Sequence, residues 1–188
     1  MVARAESTAA TGARILDAAV ELFWEEPSDD LSLEEVARRA GVTVQTVIRR
    51  FGGKDALFAA AAEREAERVR AQRDEAPVDD VAGAVRVLVD HYEALGDQVI
   101  RLLAEAERAP QIREIADRGR SYHRDWCARV FAGALEGLKG VERRRRLGQV
   151  VAVCDVYVWK LLRRDGGLGR AQTELALLEL LAPLVEGR

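Results

Sequence analysis

Apolar side chains recur at three- and four-residue spacing along most of the chain, which is the period of an α-helix that buries one face. The pattern is clear from Arg14 to Trp24, where it relates Ile15, Leu22 and their apolar neighbours. No stretch alternates apolar and polar residues as a half-buried strand does, and no internal repeat occurs. The spacing predicts an all-α architecture of about nine helices.

The residues ahead of this first helix are mostly small and polar, with little to bury. They predict a mobile arm of about a dozen residues, with Thr11 as the cap of the helix that follows. Pro27 then interrupts the helical pattern. Ser32 and Glu35 have the spacing of a capping box, which predicts that a second helix starts directly after Ser32.

The segment LEEVARRAGVTVQTVIRRFGGKDALF, from Leu33 to Phe58, has the residue spacing of a helix-turn-helix. Ala37 is small where a second helix must cross closely, and Gly41 comes where the turn needs positive φ. Thr43 is placed to cap the third helix, and Val47 lies where that helix must bury an apolar side chain. The segment therefore predicts two short helices joined by a tight turn.

The charge of the chain is distributed unevenly. The 188 residues carry a formal net charge of −3, which argues against a protein that coats nucleic acid generally. Within the helix-turn-helix segment, however, no Asp or Glu occurs between Val36 and Lys54. The basic residues that predict a local cationic surface there are Arg38, Arg39, Arg49, Arg50 and Lys54.

The first turn of the third helix carries short polar side chains, and such a helix can enter the major groove of DNA. Gln45 is suited to adenine, and Thr46 to a thymine methyl group or a phosphate. Lys54 lies near the start of a fourth helix, whose dipole reinforces attraction for a phosphate. The alternative is that these residues form only a solvated helix face. The candidate DNA-binding residues are Ser32, Thr43, Val44, Gln45, Thr46, Arg49, Arg50 and Lys54.

From the first helix to Ala61, the chain resembles the DNA-binding domain of the TetR family of bacterial transcriptional regulators. One position departs from the family pattern: Ile48 stands where the family usually has a Tyr that touches the DNA backbone. Arg49 and Arg50 are the candidates to replace that contact. The resemblance implies docking on a double-stranded DNA operator, with repression as the family default. The matching residues are Ala37, Gly41, Val42 and Thr43 for A-x-x-x-G-V-(S/T), Thr46 for the following Thr, and Phe51, Lys54, Asp55 and Leu57 for F-x-x-K-(D/E)-x-L.

A fourth helix is predicted from about Lys54 to Arg73, apolar early and charged later, before Pro77 stops it. It is expected to connect a helix-turn-helix DNA-binding domain, residues 10–55, to an effector-binding and dimerisation domain, residues 56–188. The second domain is predicted as a helical bundle. Its further helices are expected around Val81–Tyr92, Val99–Leu103, Ile112–Gly133, Leu147–Leu162 and Ala171–Val185.

The last two predicted helices are unusually apolar. The eighth is apolar on nearly every side, and the ninth carries two adjacent stripes of leucine and valine. Together they hold more apolar surface than one small subunit can readily bury, which predicts a homodimer. The family resemblance implies the same four-helix interface. The candidate interface residues are Val151, Val158, Leu162, Leu178 and Leu181.

Polar and aromatic side chains are set into the apolar helices of the C-terminal bundle, a mixture that suits a ligand pocket. Such a pocket favours a small hydrophobic or amphipathic effector, and the resemblance implies that this ligand acts through the fourth helix on DNA binding. Each residue taken alone also fits a core position, and Asp155 also fits a partner for an Arg of a neighbouring helix. The candidate ligand-binding residues are His91, Tyr92, Tyr122, Trp126, Asp155 and Trp159.

Enzyme chemistry finds little support in the sequence. His91 and His123 adjoin no nucleophile, and no H-E-x-x-H, P-loop or dinucleotide motif occurs. Cys127 and Cys154 lack metal-ligand spacing and are predicted as buried free thiols, so neither metal nor cofactor is expected. The principal alternative to a DNA-binding regulator is a helical adaptor that uses the helix-turn-helix for protein contacts. An enzyme built on the C-terminal bundle comes third.

The N-terminal residues lack the apolar core of a signal peptide. No run approaches the roughly 18 apolar residues of a membrane span. The sequence is therefore expected to act in the cytoplasm, without a membrane partner.

Overall fold

The computed structural model describes residues 2–185, with side chains from residue 9 onward. All the regular elements within this range are helical, which confirms the predicted all-α fold class. No helix in the described part of the chain is both long enough and apolar enough to cross a membrane. The helices are α1 Val2–Glu25, α2 Leu33–Ala40, α3 Val44–Phe51, α4 Lys54–Arg73, α5 Val81–Glu105, α6 Pro110–Val130, α7 Ala132–Leu135, α8 Gly140–Val153, α9 Val156–Lys160 and α10 Arg170–Val185, with a 3-10 turn at Ser28–Asp30 and a π-helical turn at Leu161–Asp165.

The chain divides into two compact units, Met1–Arg68 and Val69–Arg188, so that α4 contributes to both. The sequence places this boundary at residues 55 and 56, where the helix-turn-helix pattern ends. In the structure, the first half of α4 buries Leu57 and Phe58 within the first unit. Arg64, at the middle of α4, donates to the backbone oxygen of Ala13 in α1. The early turns of α4 thus belong to the N-terminal core.

The N-terminal unit has the capped helix-turn-helix that the residue spacing predicts. Ser32 Oγ accepts the backbone N–H of Glu35 at 3.1 Å, and Thr43 Oγ1 accepts that of Thr46 at 3.2 Å. Gly41 ends α2 in the left-handed region with φ 65°, where a side chain would be strained. These contacts confirm the predicted starts of α2 and α3 and the turn between them.

Helix α1 starts far earlier than its apolar pattern indicates. It runs without interruption from Val2, so Thr11 lies inside the helix and does not cap it. The predicted mobile arm is therefore wrong over the described residues. The alanines and charged residues of this segment have high intrinsic helix propensity, and no proline interrupts them. Propensity of this kind leaves no mark on apolar periodicity.

In the C-terminal unit, α5 is one helix where the sequence predicts two. Gly96 lies in its interior, beneath the indole ring of Trp159 from α9, and a Cβ there would come within 2.7 Å of ring atom Cη2. The glycine permits a close helix contact and does not end the helix. The predicted break at this position is therefore wrong.

Where the sequence predicts a single eighth helix, the structure has two. Helix α8 ends at Val153, and α9 begins again at Val156. Between them, the carboxylate of Asp155 accepts the backbone N–H of Tyr157 at 2.9 Å and caps α9. Asp competes for backbone donors, which favours a helix start over a helix interior.

The core of the C-terminal unit contains three buried aromatic side chains, Tyr92, Trp126 and Trp159. Cys127 and Cys154 lie in the same cluster, fully buried and not joined by a disulfide. This confirms the prediction of buried free thiols. An interior of this kind is close-packed, so added volume is costly.

We expect Gly96→Ala to destabilise the protein by about 1–3 kcal/mol, because the new methyl group would overlap the Trp159 ring. The matched control is Gly119→Ala in α6, where a Cβ meets nothing within 4 Å. There the lower backbone entropy of the unfolded chain should instead stabilise by about 0.5–1 kcal/mol. Urea denaturation of both variants measures the difference; equal effects of the two changes would contradict the close contact.

Candidate DNA-binding surface and regulatory core

Helix α3 turns one face to the interior and one to the outside. Val47 is completely buried, whereas Gln45 and Arg49, one turn apart, are exposed. Thr46 is half-buried and its hydroxyl lies 2.9 Å from that of the cap residue Thr43. The exposed face therefore presents an amide, a guanidinium and hydroxyl groups on a rigid short helix.

The two adjacent arginines of α3 differ in their surroundings. The guanidinium of Arg50 lies against the backbone of α1, where a Cβ at Gly12 would come within 2.7 Å of Cζ. Arg49 and Lys54, the first residue of α4, are exposed. Arg50 is exposed as well, and it differs from Arg49 in that its guanidinium also lies beside Gly12 of α1.

The cationic surface is narrower than the sequence predicts. Glu35 accepts from Arg38 Nε at 2.8 Å and from Arg39 Nε at 2.7 Å, and Arg39 also pairs with Glu25 at 2.7 Å. These arginines hold the pKa of the Glu35 carboxyl at about 2 through their hydrogen bonds. Arg38 and Arg39 are thus paired within the N-terminal unit, by Glu35 one turn earlier on α2 and by Glu25 of α1.

Two of the predicted ligand-binding residues hold the end of α4 within the C-terminal unit. Trp126 Nε1 donates to the backbone oxygen of Arg73 at 2.8 Å. The hydroxyl of Tyr122 donates to Asp74 at 3.2 Å, and Arg129 forms an ion pair with the same carboxylate. Helix α6 therefore clasps the last turn of α4.

The other four predicted ligand-binding residues lie at the contact of α5 with α8 and α9. The Tyr92 hydroxyl donates to the Cys154 oxygen at 2.9 Å, and Trp159 Nε1 donates to Glu93 at 3.2 Å. His91 is buried, with its ring centroid 5.3 Å from that of Tyr92. Asp155 caps α9 and does not act as the arginine partner that the sequence offered as an alternative. The six candidates thus form two groups with internal partners.

Sequence reasoning missed a buried cation at the end of α4. Arg73 is only 3% exposed, and its guanidinium lies over the Trp126 ring with Cζ 4.2 Å from the centroid. Its Nη2 donates to Nδ1 of His123 at 2.9 Å. Burial, followed by the charges of Arg73 and His123, lowers the pKa of His91 to about 3, so His91 is neutral. Arg73 stands in a charged run that predicts a solvated face, and no local signal distinguishes it.

Exposed apolar side chains concentrate on the last helices. Of the proposed interface residues, Leu181 is fully buried in the core of its own subunit, while the others are half-buried. Leu181 is therefore not available to a partner, because α10 directs Leu177 and Leu181 inward. Four large apolar side chains that the prediction omitted are exposed there, namely Tyr157, Leu161, Leu175 and Leu180.

The N-terminal unit matches a known family. Residues 15–61 match the family described as bacterial regulatory proteins, tetR family. This match confirms the resemblance seen in the sequence, and it covers the helix-turn-helix and the first turns of α4. Curated proteins yielded no significant match.

Solved structures resemble the whole described fold. A transcriptional regulator from Rhodococcus sp. Rha1 is similar with a TM-score of 0.67 and 22% identity, over 94% of this chain and 96% of that one. NalD of Pseudomonas aeruginosa, the secondary repressor of the MexAB-OprM multidrug efflux pump, has a TM-score of 0.56 and 22% identity, over 94% and 96%. FadR, a transcriptional regulator from Bacillus subtilis solved in complex with stearoyl-CoA, has a TM-score of 0.57 and 19% identity, over 94% and 98%. Identities this low establish a common fold.

The ion pairs of Glu35 with Arg38 and Arg39 make the stability of the protein depend on pH. Because the folded pKa of Glu35, about 2, lies below the ordinary 4.5, its contribution is present above about pH 4.5 and is lost as the pH falls towards 2. We expect Glu35→Gln to be less stable than the parent at neutral pH, with a difference that shrinks across this window. The effect is small because both arginines face solvent, and salt weakens it.

Guanidinium denaturation would mask this difference by screening, so urea denaturation from pH 7 to 2.5 is the appropriate measurement. Glu34→Gln is the control, since Glu34 is an exposed neighbour in the same first turn of α2. If both variants follow the same pH dependence, the ion pairs do not stabilise α2.

Proposed function

We propose, from the match of residues 15–61 to the tetR family of bacterial regulatory proteins, that the protein is a homodimeric transcriptional regulator that binds a palindromic DNA operator and releases it when a small effector binds. The observation that carries the proposal is the exposed face of α3. It combines Gln45 and Arg49 on the outside with Val47 fully buried beneath them. A bacterial regulator of this kind acts in the cytoplasm, where the DNA is.

In this proposal, α3 reads base edges in the major groove. The Gln45 amide can donate and accept at once, which matches the N6 and N7 groups of adenine. Thr46 and Val44 offer methyl groups to thymine. Arg49 takes a guanine edge or a phosphate, and so compensates for the aromatic side chain that Ile48 replaces.

Phosphate contacts fix the register of this reading helix. Thr43 is exposed at the positive end of α3 and has a hydroxyl to donate, and Lys54 offers an exposed ammonium at the start of α4. Ser32 caps α2 through its oxygen lone pair and therefore keeps its hydroxyl proton for a phosphate. Arg50 contributes less than the sequence indicates, since it covers Gly12.

Recognition of a palindrome requires a two-fold dimer, and the exposed apolar side chains of α9, of the π-helical turn after it and of α10 provide a surface for one. Leu161 is 61% exposed and Leu175 is 46% exposed in the single subunit. An obligate interface of this type buries about 2,000 Å² or more and is more apolar than the remaining surface. We assign the interface to these side chains together with the half-buried Val158, Leu162 and Leu178.

Helix α4 is suited to carry the response. Its 20 residues span about 30 Å, from Lys54 at the DNA-binding end to Arg73 in the C-terminal unit. An effector that changes the clasp of α6 on its last turn alters the spacing of the two reading helices. The neighbour NalD is a repressor and FadR was solved with an acyl-CoA. These neighbours support repression and ligand control as the working assignment for this chain.

Selection of bound sites from random duplex DNA tests the function directly. A palindromic consensus is expected, retained at moderate salt against competitor DNA. Equal affinity for selected and random duplexes would overturn the proposal and favour a helical adaptor that uses the helix-turn-helix for protein contacts.

Two substitutions distinguish base reading from phosphate contact. We expect Gln45→Ala to cost about 1–3 kcal/mol on the selected site and to relax preference at one base pair of each half-site. Lys54→Ala should weaken all sequences alike and lower the salt slope of log K by about one unit per subunit. Lys139→Ala, which removes an exposed cation of the C-terminal unit, is the control. Fluorescence anisotropy across a salt series provides the measurement.

The interface assignment has its own test. Leu175→Asp and Leu161→Asp should each weaken dimerisation by at least about 100-fold, because a buried unpaired carboxylate costs several kcal/mol. Both side chains are exposed in the single subunit, so the monomer should remain folded. Val78→Asp, at an apolar side chain 53% exposed ahead of α5, is the matched control. Sedimentation equilibrium reports the dissociation constant; dimers that persist in both α9–α10 variants would place the interface elsewhere.

A further inference from the structure

Arg73 is a charged side chain inside the apolar core of the C-terminal unit. An arginine remains protonated in proteins, so its burial places a full positive charge in a medium of low polarity. Among the described residues 2–185, it makes no salt bridge with any Asp or Glu. Its Nε is buried and has no hydrogen-bond partner within the same range. The cation therefore lacks the anion that burial of charge ordinarily requires.

The groups around Arg73 compensate its buried charge only in part. Nη2 donates to His123 Nδ1 at 2.9 Å, which is the one hydrogen bond of the guanidinium within the described residues. The faces of Trp126 and Tyr122 lie 4.2 and 5.5 Å from Cζ and attract the cation through their quadrupoles. None of these three groups carries a negative charge. The Nε–H of the guanidinium therefore has no acceptor among the described residues.

His123 connects the guanidinium to the two thiols. Since Arg73 can only donate, His123 Nδ1 accepts and the ring proton lies on Nε2, 3.8 Å from Cys127 Sγ. The hydrogen bond from Cys154, and then His123 and Arg73, lower the pKa of Cys127, while the same thiol contact raises that of Cys154. The thiols lie beyond His123 and give Arg73 Nε no partner.

We propose that Arg73 anchors an effector site, in which its guanidinium binds the carboxylate of a small organic acid. The planar fork of donors matches the two oxygens of a carboxylate. The unpaired Nε is one of the donors available to it. The site deepens the proposed function, on which its regulatory role rests, by specifying the charge of the effector.

A single negative charge fits better than a phosphate. His91 is neutral, since burial and the neighbouring cation oppose its protonation, and His123 offers Arg73 an acceptor at Nδ1. Arg129 of α6 is already paired with Asp74, the residue that follows Arg73. One unpaired cation therefore stands in an apolar core, which suits a monoanion and penalises the second charge of a phosphate.

Arg73 is also the last residue of α4, and α6 holds its backbone oxygen through Trp126. A carboxylate that draws the guanidinium away from His123 acts on the same turn that α6 clasps. Ligand binding at this residue is thus linked to the helix that enters the DNA-binding unit. By linkage, a tenfold loss of operator affinity requires the acid to bind the DNA-free form tenfold more tightly.

The test compares acids with their neutral isosteres. Benzoate, phenylacetate and octanoate, each paired with its primary amide, are titrated into the DNA-free full-length protein by calorimetry. We expect at least one acid to bind about tenfold or more tightly than its amide, because the charge-assisted hydrogen bonds are lost with the amide. If no acid of the panel binds, or acids and amides bind alike, the proposal is overturned.

Three variants identify the residue responsible. Arg73→Met keeps an apolar stem against Trp126 and should abolish the preference for acid over amide. Arg73→Lys keeps the charge without the fork and should retain an intermediate preference. Arg120→Gln, which removes a guanidinium paired with Asp117 on the outside of α6, should behave as the parent. Thermal unfolding checks that each variant is folded. An unchanged preference of Arg73→Met for acid over amide would overturn the assignment. If Arg73→Met does not fold, the preference of Arg73→Lys for acid over amide decides.

Operator release is measured separately with the selected duplex. Acid binding that depends on Arg73 and releases the operator supports both the site and the proposed function. Acid binding without release leaves the anion site standing and refutes ligand control through it. Operator binding by a protein that binds none of the acids overturns the anion site alone.

Discussion

The end of α4 is fixed by hydrogen bonds from a single face of α6, and the attachment of α4 to the rest of the C-terminal unit depends on this clasp. Trp126 donates to the backbone of Arg73, while Tyr122 and Arg129 converge on Asp74. Buried hydrogen bonds to a helix terminus satisfy carbonyls that the helix itself leaves open. The contact of Trp126 is buried, whereas the contacts of Asp74 with Tyr122 and Arg129 are exposed, so α6 holds the last turn of α4 both in the core and at the surface.

The aromatic residues of the bundle take their importance from this arrangement. Trp126 is at once a core side chain, a donor to the α4 terminus and a platform for the Arg73 guanidinium. Trp159 has a similar double role, because it packs on Gly96 and donates to Glu93. An indole buries a large apolar area while its N–H still needs a partner, so each Trp joins two helices by two kinds of contact. Aromatic residues placed in this way pack the core and also fix the relative position of the helices that they join.

Charge pairing determines which part of the N-terminal unit remains cationic. Glu35 and Glu25 neutralise the two arginines of α2, and α1 engages Arg50 of α3. Arg49 and Lys54 are left exposed on the reading side. Exposed cations also occur in the C-terminal unit, for example Arg143, Arg144 and Arg145 of α8, so the positive charge of the protein is not confined to the N-terminal unit.

The sequence by itself determined what depends on neighbours in the chain. Ser32, Thr43 and Gly41 act on backbone groups within four residues, so the caps and the turn of the helix-turn-helix follow from spacing alone. The buried position of Val47 follows from helical periodicity in the same way. These local rules also account for the all-α class and for most helix positions in the C-terminal unit.

Only the tertiary structure decided the contacts between distant segments. The burial of Arg73, 50 residues from its partner His123, has no local signature, and the charged run around it indicates a solvated face. Leu181 turned inward and Leu175 outward because the packing of α10 on other helices selects one of several apolar stripes. Gly96 marks a close approach to Trp159 that no pattern in α5 reveals. The energy of a buried charge or a shared core depends on what surrounds it in space, and periodicity along the chain carries no information about that environment.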